Sequence, residues 1–122
     1  MTYEIDMQTK LWLRELEKKL GRKLEAECLR LGSIMPYVPE NGVYYDMGAR
    51  ELSAWTNGFY AGMLWQMYHA AGKECCRKVA EGIEKRLDEA FEEFVKLDHD
   101  VGFLWLHTAV ANWRLTGNET SR

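Results

Sequence analysis

Four helix-length segments of this sequence alternate between two hydrophobic patterns. In the first, about Ile5 to Leu31, apolar residues recur every three or four positions with charges between them, which predicts an amphipathic helix. Gly21 is expected to break or kink this helix, and Gly32 is expected to end it. The third segment, about Glu74 to Leu97, repeats the pattern. The predicted buried stripes are Leu13, Leu16, Leu20, Leu24, Cys28 and Leu31 in the first segment, and Val79, Ile83, Leu87, Phe91, Phe94 and Val95 in the third, where Glu81, Lys85, Asp88 and Glu92 are expected to face water.

The second and fourth segments are apolar around most of their circumference. The second, Gly58 to Ala71, is expected to start from an N-cap at Thr56 or Asn57 and to stop at Gly72. The fourth, Val101 to Thr116, has no charged residue before Arg114. A helix without a polar face is typically enclosed by protein, so both are predicted to be buried.

A long connection separates the first two helices. Residues 33–54 contain two prolines and two glycines, which favours a loop, with a short extended piece conceivable at 43–45. A loop of this length inside a compact domain commonly has a function, such as covering a site.

The order of exposed and buried helices predicts more than a simple bundle. Every helix of a plain four-helix bundle shows one face to solvent, and two of these helices do not. A Gly-Phe pair begins both buried helices, at Gly58 and Gly102, which lie 44 residues apart and indicate repeated helical hairpins. We therefore expect an all-α, double-layered helical barrel. Two hairpins cannot close such a ring, so the chain is either part of a longer protein or a homo-oligomer that buries its inner faces between copies.

The composition of the chain argues against some classes of binding partner. The net charge of −3 and the isoelectric point near 5.6 argue against nucleic acid, which requires clustered basic residues. The first ten residues carry acidic groups and no apolar leader segment, and no uncharged stretch reaches the length of a membrane span. We expect a cytoplasmic protein without a membrane partner. The sequence has three cysteines, Cys28, Cys75 and Cys76, and an odd number argues against a disulfide framework. Their spacing is not that of metal ligands, so we expect reduced structural thiols. No metal or cofactor is expected.

Four motifs give the sequence a family resemblance. They are NGVY at 41–44, WTNGFYAGMLW at 55–65, HDVGF at 99–103 and WRLTG at 113–117. Together they resemble the unsaturated glucuronyl hydrolases of glycoside hydrolase family 88, over nearly the whole chain. The related unsaturated rhamnogalacturonyl hydrolases share part of these motifs and remain an alternative.

The resemblance implies a fold, an activity and a set of site residues. The fold is an (α/α)6 barrel, of which residues 1–122 form a single N-terminal segment, incomplete by about two thirds. The implied activity is removal of a 4,5-unsaturated uronic acid from the non-reducing end of lyase-generated oligosaccharides, such as those of glycosaminoglycans, by hydration of the vinyl ether. Asp100 matches an active-site aspartate, and Trp55 and Asn57 match the substrate pocket. The family's acid-base aspartate would lie beyond Arg122, so whether this chain is catalytic stays open.

Each site residue also has a purely structural interpretation. Asp100 directly precedes a helix, where an aspartate commonly accepts backbone N–H bonds as an N-cap. His99 is a substrate-binding candidate, although a lone histidine is more often a hydrogen-bonded structural residue. The alternative to an enzyme is a catalytically inactive helical module that self-associates.

Overall fold

The structure is a computed structural model that describes residues 3–94 and 96–122. Its helices are α1 (Met7–Leu31), α2 (Met47–Arg50), α3 (Phe59–Ala71), α4 (Glu74–Glu93), α5 (Val101–Leu106) and α6 (Ala109–Thr116). Two 3-10 turns, Trp55–Gly58 and Glu119–Ser121, complete the regular structure. In the described residues the only β pairing is an isolated bridge between Glu40 and Val43. The prediction of an all-α fold built from helical hairpins is confirmed.

The first helix is continuous. Its N-cap is Asp6, whose carboxylate accepts a hydrogen bond from the backbone N–H of Thr9 at 2.9 Å, and Gly32 ends it with a positive φ of 56°. Gly21 does not interrupt α1. It is buried, and a Cβ there would lie 3.5 Å from Met67 and from Lys73, so the glycine brings α1 close to α3 and α4 without being sterically required.

Three helices enclose the core. The antiparallel α3 and α4 share the largest contact, and the second half of α1 packs across both. Trp65 is fully buried at the centre, as its sequence context predicts. The buried apolar residues are Leu24, Cys28, Met35, Tyr60, Ala61, Leu64, Trp65, Met67, Cys76, Ala80, Ile83, Leu87 and Leu104.

Several predicted helix boundaries were wrong. Neither Thr56 nor Asn57 caps α3, because both belong to the 3-10 turn that precedes it, and no side chain caps this helix. The third helix ends at Glu93 rather than Leu97, since Phe94 and Lys96 adopt left-handed backbone conformations with φ of 51° and 54°.

The fourth predicted helix is two helices. It breaks at His107 and Thr108, where the Thr108 hydroxyl donates to the Leu104 carbonyl at 2.6 Å and the Thr108 backbone leaves the helical region. Side-chain hydrogen bonds of this kind compete with the helical ladder. The bend turns α6 back toward α3 and α4.

The predicted burial also needs correction. Phe91 and Phe94 were expected in the core stripe of α4 but are 54% and 73% exposed; the prediction for Val95 lies outside the described residues. On the helices predicted to be enclosed, Met63, Leu106 and Trp113 are exposed as well. The cause is the absence, in the part of the chain that is described, of a second layer of helices over these faces. None of the helices in residues 3–94 and 96–122 is both long and apolar enough to cross a membrane.

The connection after α1 is held against α4. The Arg86 guanidinium donates to the Ser33 carbonyl at 2.6 Å and pairs with the Asp46 carboxylate at 2.8 Å. Asp46 also accepts the backbone N–H of Met35 at 3.0 Å and caps α2. The extended piece expected at 43–45 is reduced to the single bridge at Val43, since tyrosines 44 and 45 lie in irregular backbone.

Candidate active site

The two Gly-Phe motifs meet in a cluster of aromatic rings. We define the aromatic corner as Trp55, Phe59, Phe103 and His107. The Trp55 ring centroid lies 5.6 Å from that of Phe59 and 5.7 Å from that of Phe103, and Phe59 packs 5.2 Å from His107. Edge-to-face packing of this kind is favourable for aromatic rings. The corner therefore fixes the turn before α3 against the start of α5.

Gly58 makes this approach possible. A Cβ at Gly58 would lie 2.6 Å from the Phe103 carbonyl oxygen and 2.9 Å from that of Leu104. Both are backbone atoms of α5, which cannot rotate away as a flexible side chain could. The glycine of the WTNGF motif is thus required by contact between two backbones, and Gly102 of the second motif has no atom within 4 Å of the corresponding position.

Asp100 lies at the same end of the molecule as Trp55. Its carbonyl accepts the N–H of Phe103 at 2.9 Å, which links it directly to the aromatic corner. Asp100 occupies the N-cap position of α5, but its carboxylate accepts no first-turn N–H group, so the structural alternative of a side-chain cap is wrong. Instead the Asp98 carboxylate accepts the N–H of Asp100 at 2.9 Å and shapes the turn. The Asp100 carboxylate, one third exposed, is left available to another group.

His99 is the most exposed of the predicted site residues. Its side chain is 88% exposed, and Nε2 lies 3.6 Å from an Asp100 carboxylate oxygen. Ligand atoms of Asp98, His99 and Asp100 lie within 4.8 Å of one another. Exposed acidic groups commonly cluster in this way without a metal, so the expectation that no metal is used stays a prediction.

A shallow cleft adjoins the exposed face of Trp55. Its volume is about 220 Å³, and its lining includes Trp55, Thr56, Lys96 and the acidic residues Glu51 and Asp98. The Lys96 side chain is exposed, and no ion pair joins it to another described residue. An indole face beside an ammonium group can bind a sugar ring that carries a carboxylate. Lys96 was not predicted from the sequence as a site residue, although it lies two residues before Asp98 and close to the HDVGF motif.

Asn57 is buried and holds the loop that precedes Trp55. Its side-chain amide donates to the carbonyls of Glu51 and Leu52, both at 2.9 Å, while Oδ1 has no hydrogen-bond partner among the described residues. These bonds give Asn57 a positioning role beneath the cleft. Its direct contact with substrate stays a prediction.

A second polar cluster was not predicted. Glu84 is buried, and its carboxylate accepts hydrogen bonds from Asn112, at 2.8 Å, and from the Ser121 hydroxyl. Asp88 lies nearby, where burial and the Glu84 charge raise the pKa of its carboxyl. Glu84 lies on the buried face of α4, which its charge gave no reason to expect from the sequence. This cluster anchors α6 and the last 3-10 turn to α4.

Comparison with known proteins gives a consistent family. The chain is 31% identical over 114 residues to an unsaturated glucuronyl hydrolase from a Bacillus species, covering 92% of this chain and 29% of that protein. Unsaturated chondroitin disaccharide hydrolases from Streptococcus pyogenes and Streptococcus agalactiae are 32% and 30% identical over 69 and 112 residues, which cover 56% and 90% of this chain and 17% and 27% of theirs. No family model matches, and a search of solved structures gave no significant match.

The chain belongs to the unsaturated glucuronyl hydrolase family. It spans less than a third of the length of these relatives. The predicted fold class, helical hairpins of an incomplete (α/α)6 barrel, holds for this member of the family. The aromatic corner joins the two motifs, WTNGF and HDVGF, on which the resemblance chiefly rested.

Proposed function

We propose that this chain forms part of a hydrolase that removes a 4,5-unsaturated uronic acid from the non-reducing end of lyase-generated oligosaccharides. One observation supports the proposal: the packing of Trp55 on Phe103, and the backbone hydrogen bond from Phe103 to Asp100, bring Trp55 and Asp100 to the same end of the fold. The family relationship supports it independently, since the relatives are named for unsaturated glucuronyl and chondroitin disaccharide substrates.

In the proposed reaction, a carboxyl group and water act on the vinyl ether of the sugar. A proton adds to C4 and a water oxygen adds to C5, which releases one proton and leaves a hemiketal. The hemiketal then opens at the bond between C5 and the ring oxygen, which leaves a ketone at C5 and a hemiacetal at C1. The hemiacetal collapses to an aldehyde at C1, its hydroxyl proton passes to the glycosidic oxygen, and the remaining sugar departs as an alcohol. Asp100 would orient the water or exchange its proton, acting with the second carboxyl that the resemblance places outside residues 1–122.

Substrate binding would use the cleft at Trp55. The exposed indole face would pack on the unsaturated ring, and the Lys96 ammonium would pair with the ring carboxylate. His99 would hydrogen-bond a hydroxyl at the rim. Asn57 would support this cleft from below through its bonds to the loop carbonyls.

The test follows the ultraviolet absorbance of the conjugated C4=C5 bond, using an unsaturated chondroitin disaccharide as substrate. Asp100→Asn should abolish turnover, and Trp55→Ala should raise KM by roughly tenfold, consistent with loss of about 1.4 kcal/mol of binding. Trp113→Ala is the matched control, because Trp113 is also partly exposed but lies on α6 away from the cleft. Unchanged turnover in Asp100→Asn would remove Asp100 from the mechanism.

A second candidate function, self-association, is favoured by a groove between α1 and α3. The groove has a volume of about 560 Å³ and is lined largely by apolar side chains, including Leu13, Leu20 and Met63, all more than 40% exposed. A second copy of the chain would bury this surface. Sedimentation should show an oligomer that Leu20→Lys dissociates, while Leu29→Lys, on the exposed face of α1 outside the groove, should not. A wild-type monomer at all concentrations would exclude this function.

The related rhamnogalacturonyl substrate is the competing prediction within the enzyme hypothesis, and parallel assays with both unsaturated sugars would decide between them. The cytoplasmic location and the treatment of residues 1–122 as a single segment also stay predictions.

A further inference from the structure

Three cysteines from two separate parts of the sequence meet in the fold. Cys28 lies on α1, and Cys75 and Cys76 lie in the first turn of α4. The three sulfur atoms lie within 4.8 Å of one another, and Cys28 Sγ is 3.9 Å from Cys76 Sγ, across 48 positions of sequence. Cys28 and Cys76 are buried, while Cys75 is half-buried and reaches the surface.

We propose that Cys28, Cys75 and Cys76 bind a thiophilic divalent cation of the zinc class, with a fourth ligand supplied by water on the Cys75 side. In a tetrahedral site with metal–sulfur bonds of about 2.3 Å, the sulfur atoms are about 3.8 Å apart. The separation of 3.9 Å between Cys28 and Cys76 is already close to that value. The Cys75 sulfur atom, within 4.8 Å of both, would complete the site.

Tyr60 provides an independent indication of a ligand. Only 7% of this residue is exposed, and its hydroxyl has no hydrogen-bond partner in the described residues. Tyr60 belongs to the same buried core cluster as Cys28 and Cys76. The Tyr60 phenol O–H can donate a hydrogen bond to a metal-bound thiolate, as the groups around metal ligands commonly do.

The charge balance favours a divalent cation. Binding breaks three S–H bonds, forms three metal–sulfur bonds and releases three protons to the buffer, with no oxidant or reductant involved. The product carries a net charge of −1, which the Tyr60 hydroxyl stabilises, whereas a monovalent cation would leave a charge of −2.

The experiment adds Cd²⁺ alone to the reduced, metal-free chain. The expected results are one equivalent bound with an ultraviolet thiolate-to-cadmium charge-transfer band, and about three protons released per ion in weakly buffered solution near pH 7. Cys75→Ala should release only two protons and weaken binding by roughly a hundredfold, with the fold kept because Cys75 is at the surface. Tyr60→Phe should retain the band and weaken binding by about tenfold.

Two control variants separate this cluster from other donors. Met67→Leu removes a buried sulfur atom outside the cluster, and His99→Ala removes the exposed group beside Asp100; both should bind Cd²⁺ as the wild type does. The proposal is overturned if no charge-transfer band forms, if fewer than two protons are released, or if Cys75→Ala gives the wild-type band and affinity.

Discussion

Gly58→Ala is the sharpest test of how the two motifs are joined. Normal contacts between a carbon and a carbonyl oxygen are about 3.3 Å or longer. The added Cβ would lie 2.6 Å and 2.9 Å from two backbone oxygens of α5, so α5 and the turn before α3 must separate by roughly 0.7 Å. Overpacking against atoms that cannot rotate away costs about 2 to 3 kcal/mol.

The second Gly-Phe motif supplies the matched control. Gly102 lies in the first turn of α5, and no atom lies within 4 Å of the place that an added Cβ would occupy. Gly102→Ala should therefore stabilise the chain by about 0.5 to 1 kcal/mol, as alanine does in an unobstructed helix. The two identical substitutions, 44 residues apart, should differ in sign.

Thermal and urea unfolding measured by circular dichroism would compare the two variants. For a chain of this size, Gly58→Ala should lower Tm by roughly 5 to 15 °C, while Gly102→Ala should raise it by a few degrees. Near-ultraviolet dichroism should change in Gly58→Ala alone, since only that variant separates the rings of the aromatic corner. Equal stability of the two variants would refute the claim that contact between backbones fixes this corner.

Three further predictions concern stability. Gly21→Ala should raise the free energy of unfolding by about 0.5 to 1 kcal/mol, because its Cβ would have ordinary 3.5 Å contacts within a continuous helix, and a fall would show that α1 is strained there. Glu84→Leu should lower it by about 2 to 4 kcal/mol, since the amide of Asn112 and a serine hydroxyl lose their buried acceptor; urea unfolding that left the midpoint unchanged would contradict this. Burial alone raises the pKa of Asp46, but the backbone N–H of residue 35 and the Arg86 guanidinium outweigh it and hold this pKa below its ordinary value of 3.8. A carboxyl whose pKa is lower in the folded than in the unfolded protein stabilises the fold at pH values above its unfolded-state pKa, and this contribution should be lost as pH falls below 3.8. Asp46→Asn should therefore lose less stability than the wild type on acidification. An equal loss in the two proteins would count against the ion pair.

Local patterns predicted the helices well where a strong signal marked their ends. Gly32 and Gly72 ended α1 and α3 as expected, since both residues adopt positive φ values that glycine permits. The end of α4 has no such signal, because Phe94 adopts a left-handed conformation that its side chain gives no reason to expect. The break at Thr108 depends on a hydrogen bond to the preceding turn, which competes almost evenly with continued helix.

The candidate site also has parts that could be predicted from the sequence and parts that could not. The motifs around Trp55 and Asp100 could be recognised from sequence, because they are contiguous and distinctive. The role of Asn57 beneath the cleft could not, since it depends on where two loop carbonyls are directed. The cysteine cluster was equally inaccessible, because only the packing of α1 on α4 brings Cys28 to Cys75 and its neighbour.

The hydrogen bonds that Arg86 donates to the connection after α1 determine how that connection can move. One guanidinium binds both Ser33 and Asp46, so the two ends of the intervening segment are fixed to the same side chain. Met35 is also buried and bonded to Asp46 and Met47, so any opening of this segment must arise from rotation about bonds in residues 36–45 while its attachment points stay in place. A substitution of Arg86 would remove both of these attachments at once, and the connection would then be held by the hydrogen bonds that join Met35 to Asp46 and Met47.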